Sequence, residues 1–176
     1  YGQRVLEAFV GRQGIRAADP RVVTRACFMF SRFLKLVRKQ VAPFAVQLHE
    51  ALKDLMAVQY IPSSLVPQQA DGSLPRVVLK GALRAEDQQC LYEAVASLVV
   101  ALPPEQMRPA LQTLLRVPAD NLAELVAAPP SRLGADARGY AGWAARSIEA
   151  IATVSKAFSS QHACTAPDWE GALVVV

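Results

Sequence analysis

Only two histidines and three cysteines occur in the 176 residues, and that scarcity narrows the chemistry open to the chain. His49 stands beside Glu50, and His162-Ala163-Cys164 has no third or fourth ligand at metal spacing, so a structural zinc site is not expected. Cys27, Cys90 and Cys164 are odd in number and widely separated, with no C-x-x-C. That pattern fits free thiols in a reducing compartment, with Cys27 used for packing. The chain has no G-x-x-x-x-G-K and no G-x-G-x-x-G, so no phosphate-cradling loop is expected. Ser155-Lys156 is not a nucleophile motif, and no paired acid and base stand out, which argues against an enzyme. No cofactor and no small-molecule substrate are therefore expected. The longest apolar run, around Leu98 to Leu102, is far too short to cross a membrane. No secretory signal is visible.

Charge is also scarce, at 19%, while hydrophobic residues reach 52%, a balance that excludes disorder and favours buried helices. The chain opens on Tyr1 and closes on Ala172-Leu173-Val174-Val175-Val176, which is expected of a piece of a longer protein.

The scarcest commodity in the first 39 residues is acid. Glu7 and Asp19 face nine Lys and Arg there, a local net of +7, which leaves −3 of the overall +4 for the rest. Such asymmetry is the electrostatic footprint of a face for nucleic acid or another acidic partner.

Most of that charge falls on one predicted helix. Asp19 is placed to cap it, and Pro20 fits the first helical position, where its missing N–H costs nothing. At 100° per residue, Val22, Val23, Ala26, Phe30, Phe33, Leu34 and Val37 share one face. Arg21, Arg25, Arg32, Lys35 and Lys39 occupy the opposite face within an arc of roughly 80°. Phe28 lies inside that arc. A solvated helix face is ordinarily charged, but of mixed sign; here no acid within the helix offers an i,i+4 partner. Arg38 and Lys39 also suit the negative end of the helix dipole.

Helices are expected at about 1–13, 20–39, 43–59, 85–101, 105–127 and 135–159. Gly14 is a stop for the first. The short Val41-Ala42-Pro43 link predicts that the second and third fold back as an αα-hairpin. Pro118 should kink or restart the fifth. Gly139 and Gly142 weaken the start of the last by about 1 kcal/mol each relative to Ala, unless they admit a close contact. A long Pro-, Ser- and Gln-rich loop covers 60–84, in which Val77-Val78-Leu79 is a candidate extended piece, and a tail without periodicity covers 161–176. Helix pairs spaced by roughly forty residues match the scale of HEAT or armadillo repeats. The expected fold is thus all-α: an α-α superhelix of antiparallel helix pairs, with 1–176 as a partial solenoid. Solenoids bind large partners along one surface.

Several segments resemble the exportin-T family of tRNA export receptors, within the importin-β or karyopherin superfamily. They are Asp19-Pro20-Arg21-Val22-Val23-Thr24-Arg25-Ala26, Phe30-Ser31-Arg32-Phe33-Leu34-Lys35, Lys39-Gln40 and Pro43-Phe44, then Glu86 to Ala94, then Ser155 to Ser159. Their order and spacing resemble mid-chain repeats of that family. The block Phe30-Ser31-Arg32-Phe33 followed by Lys39-Gln40 is the most specific part. The resemblance implies a HEAT solenoid that binds tRNA together with the GTP-bound small GTPase Ran, shuttling between nucleus and cytoplasm, with nucleoporins as further candidate partners. It assigns no residue here to Ran. The candidate RNA contacts are Arg21, Arg25, Arg32, Lys35 and Lys39. Phe28 has two readings, packing against a neighbouring repeat or stacking on an unpaired base. The runner-up reading is a HEAT receptor or scaffold whose basic stripe meets an acidic protein.

Overall fold

The computed structural model describes residues 2–65 and 83–159. Among them are seven α-helices and no strand: α1 (Gly2–Val10), α2 (Pro20–Val41), α3 (Ala45–Met56), α4 (Ala85–Val99), α5 (Pro104–Ala127), α6 (Pro130–Ala135) and α7 (Ala137–Ser159). The candidate extended piece at Val77-Val78-Leu79 and the tail with His162 and Cys164 lie outside the described residues.

Helix α4 is the centre. Leu91, Tyr92 and every residue from Ala94 to Val99 are buried, so it is covered nearly all round, as a helix apolar on every face must be. Its most extensive neighbour is α2, followed by α7 and α3. The α2 and α4 axes run parallel, because Thr24 meets Asp87 while Ser31, further along α2, meets Glu93, further along α4. Helices α5 and α7 run antiparallel: Asn121 reaches Ser147, while Arg132 of α6 joins Glu124 to Tyr140. Direct parallel stacking of α2 on α4, with α5 and α7 antiparallel, fits an all-α helical-repeat solenoid.

Helix ends show where local signals were overridden. α1 stops at Val10, short of Gln13, and the chain reverses through a turn in which the Ile15 N–H donates to the Phe9 carbonyl at 2.7 Å. Gly14 makes this possible, since a Cβ there would lie 2.1 Å from the Phe9 oxygen. α2 is capped as its sequence predicts, with Asp19 accepting from the Arg21 N–H at 2.8 Å. It kinks at Val37, resumes to Val41 and enters α3 through a 3₁₀ turn, Ala42–Phe44. α2 and α3 do not pair along their lengths; both lie chiefly on α4. α5 runs unbroken through Pro109 and Pro118.

Beyond Met56 the chain is extended, and side chains of three helices catch its carbonyls. Gln88 of α4 donates to Leu55 and Ala57 at 3.0 and 3.1 Å, and the Tyr92 hydroxyl donates to Met56 at 3.1 Å. These bonds satisfy the orphan carbonyls of a helix C-terminus. Asn121 and Trp143 both donate to Val58, and Arg146 donates to Gln59 at 2.7 Å. Asp136 completes the attachment by accepting from the N–H groups of Ser63 and Gly139 and from the Tyr60 hydroxyl. Hydrogen bonds from Ser63 and Tyr60 hold its carboxyl well below the usual carboxylate range. The core is thereby stitched from α3 to α7 through one short segment.

Candidate nucleic-acid interface

The basic stripe of α2 is on the surface. Phe30 and Leu34 are fully buried against the other helices, and Phe9 of α1 rests on Phe30 and Phe33 with ring centroids 5.4 and 5.7 Å away. That packing turns Arg21, Arg25, Arg32, Lys35 and Lys39 outward, and all five are exposed. Cys27 sits on the buried side at 0% exposure, where burial pushes its thiol up to about 12, so it is inert packing.

The structure divides the stripe. Arg21 is held by Asp19 at 3.3 Å, and Lys35 by Glu93 of α4 at 2.6 Å. Glu93 also accepts from Ser31 at 3.0 Å, so the Lys35 ammonium belongs to a small polar cluster between α2 and α4. Arg25, Arg32 and Lys39 form no ion pair with a described residue. Between the first two lies Phe28, 43% exposed, with the Arg25 and Arg32 guanidinium carbons 5.9 and 5.6 Å from its ring centroid. Both distances fall within the range of a cation–π attraction. Among the described residues Phe28 is therefore not packed away.

Beside this line runs a second one. Val22, Met29 and Leu36 recur every seven residues and are 42%, 41% and 84% exposed. Periodicity places Val22 on the apolar face, and it falls at the uncovered edge of that face. The remaining N-terminal cation of structural weight is Arg16, whose guanidinium forks onto both oxygens of Asp54 at 2.7 and 2.8 Å and donates to the Ala51 carbonyl. It ties the α1–α2 turn to α3.

The counter-charges Asp19 and Glu93 are absent from the stripe as the sequence alone defines it. Asp19 has a local signal as the cap. Glu93 lies 58 residues from Lys35 and carries none. No group of three or more metal-ligating side chains occurs among the described residues. No described helix is long and apolar enough to cross a membrane. The face can accordingly attract anions through exposed guanidinium and ammonium groups and offer one aromatic surface.

The family model that matches is Exportin-T, over residues 1–171. Exportin-T of Homo sapiens and of Pongo abelii are each 29% identical over 113 residues, which is 63% of this chain and 10% of theirs. Exportin-T of Danio rerio is 28% identical over 96 residues, 54% of this chain and 8% of its own. The chain spans about a tenth of the length of the relatives it matches.

Proposed function

The chain belongs to the Exportin-T family, and on that premise we propose that it is one stretch of a karyopherin-type HEAT solenoid that carries tRNA from nucleus to cytoplasm with Ran-GTP. Residues 1–176 are a partial repeat array in this reading, non-catalytic, with no cofactor. The contribution of this stretch is electrostatic: α2 lays Arg25, Arg32 and Lys39 on every second turn, about 10 Å apart along one face, where they follow an RNA backbone. Arg21 at the start of the line and Lys35 between Arg32 and Lys39 add to the field, each partly neutralised by its carboxylate. The observation that carries the reading is that Arg25, Arg32 and Lys39 are exposed and form no ion pair with a described residue. Structured RNA is recognised largely through shape and phosphate, which a row of cations on a rigid helix suits. Nucleoporins remain candidate partners of the parent protein, and no residue is assigned to Ran.

An acidic protein is the second reading, because carboxylates already occupy Arg21 and Lys35. RNase treatment of the natural complex separates the two, since only an RNA-bridged complex falls apart.

The direct test is tRNA binding by the parent protein, with and without Ran-GTP, at two salt concentrations. Arg25→Glu, Arg32→Glu and Lys39→Glu together should weaken binding and reduce the salt slope by about one for each phosphate no longer neutralised. Lys35 is left intact, because a carboxylate there would oppose Glu93 and confound folding with binding. An unchanged affinity and slope would reject the line as a contact surface.

A further inference from the structure

We infer that Arg25, Phe28 and Arg32 form a reader for one unpaired nucleotide, the ring taking the base and the two guanidiniums the phosphates on either side of it. The inference rests on the basic line being an RNA face and adds which part of an RNA this point of the line selects.

Three observations meet at this position. Phe28 is 43% exposed on an otherwise polar arc, so it is spent neither on the core nor on a neighbouring described helix. Arg25 precedes it by three residues and Arg32 follows it by four, the two spacings that place side chains on one helix surface. Both guanidiniums approach the ring, at 5.9 and 5.6 Å from its centroid. Finally, these two cations lack an ion pair with any described residue, whereas Arg21 and Lys35 on either side of them have one. The charge left over is thus concentrated around the aromatic surface.

The ligand class follows from what each group can use. In an RNA duplex the base faces are stacked inside, and what reaches a helix surface is backbone, 2′-hydroxyls and base edges. Arginines would serve that ligand, and an exposed ring would gain nothing from it. An unpaired base presents a π-face, and aromatic side chains with adjacent arginines are the usual platform for it. The two cations bracket the ring along the α2 axis, so a base resting on Phe28 has a positive group towards each of its neighbouring phosphates. An acidic peptide would use the cations and leave the ring idle.

The experiment compares two probes on the parent protein with Ran-GTP by fluorescence anisotropy: a short oligouridylate single strand and a blunt RNA duplex. Phe28→Ala should weaken the single strand roughly 5- to 150-fold, the range for loss of one base–aromatic stack. Its salt slope and the duplex affinity should not change, and Phe28→Trp should retain single-strand binding. Arg25→Gln with Arg32→Gln should lower the salt slope for both probes. Circular dichroism of the exposed-site variants controls for folding. Equal losses on both probes, or no loss on either while the arginine variants still weaken binding, would overturn the nucleotide reader alone. Indifference of both probes to the arginine variants would overturn the RNA face and this inference with it. Binding of a polyglutamate peptide with none of either RNA would do the same and move the face to acidic proteins.

Discussion

The indole N–H of Trp143 donates to the carbonyl oxygen of Val58 over 2.9 Å, joining α7 to the extended backbone that leaves α3. The same oxygen accepts from the Asn121 side-chain amide at 2.8 Å, so a single buried acceptor holds α5 and α7 together. Tyr60, two residues on, stacks on Tyr140 at 4.6 Å and meets Trp143 edge-on at 6.0 Å. The bridge from the α2–α3 half to the α5–α7 half depends on this short segment as well as on α4.

Shared acceptors predict non-additivity. Trp143→Phe or Asn121→Ala alone leaves the Val58 oxygen one donor. The double variant leaves a buried carbonyl with none, at an extra cost of about 1–3 kcal/mol. Urea unfolding of the two single variants and the double closes the cycle. Simple additivity would show that the carbonyl finds water or another donor.

Arg16 and Asp54 predict a dependence on acid. The hydrogen bonds from Arg16 lower the Asp54 pKa, with burial opposing them. A carboxyl whose folded pKa is depressed adds stability that is complete above its unfolded value. That stability is lost as pH falls through the folded value. Both groups are substantially exposed, so the pair should contribute no more than about 1 kcal/mol. The gap in melting temperature between the wild type and Asp54→Asn should therefore be open at neutral pH and close in acid. A gap that does not vary with pH would assign the effect to packing.

Asp87 predicts the opposite sign. Burial raises its pKa, against the lowering effects of the Thr24 hydroxyl and Arg84. Its ionised form is therefore the unfavourable one in the fold. Stability from this site is complete below the unfolded pKa and declines as pH rises through the raised folded value. Asp87→Asn keeps an acceptor for Thr24, 3.1 Å away. It also gives up the attraction of a carboxylate to the first turn of α4, about 0.3–1 kcal/mol. Relative to this variant, the wild type should gain stability on acidification, as measured by thermal unfolding across the carboxyl range. A relative loss would mean that the helix dipole outweighs burial.

What was legible in the sequence was periodicity. Spacing alone places Phe30 and Leu34 in the core and Arg25, Arg32 and Lys39 outside, because one turn angle governs both sets. It cannot assign the flanks. Val22 belongs to the apolar set yet remains uncovered, because α1 covers the neighbouring Phe33 flank instead. Nor can it see Glu93 beside Lys35, since a contact between helices leaves no local pattern. The apolar stripe of α3 is plain, but its end at Met56 is not. The chain straightens there because Gln88, Asn121, Trp143 and Arg146 offer its carbonyls donors that a further helical turn would not use.

The two glycines near the start of α7 separate helix propensity from packing. Gly139 is buried, and a Cβ there would lie 2.2 Å from the Asp136 carboxylate and 3.0 Å from the Ile61 carbonyl. Gly142 is exposed, and a Cβ there would meet nothing within 4 Å. Alanine at 142 therefore gains helix propensity at no steric cost and should stabilise the chain by up to about 1 kcal/mol. Alanine at 139 gains the same propensity but pushes apart the α7 N-terminus and the segment that Asp136 anchors. Overpacking of this kind costs about 1–3 kcal/mol, so the net effect should be a loss. Thermal unfolding of Gly139→Ala and Gly142→Ala should then shift in opposite directions. A stabilising Gly139→Ala would mean that the Asp136 anchor yields without cost and that the bridge does not depend on it.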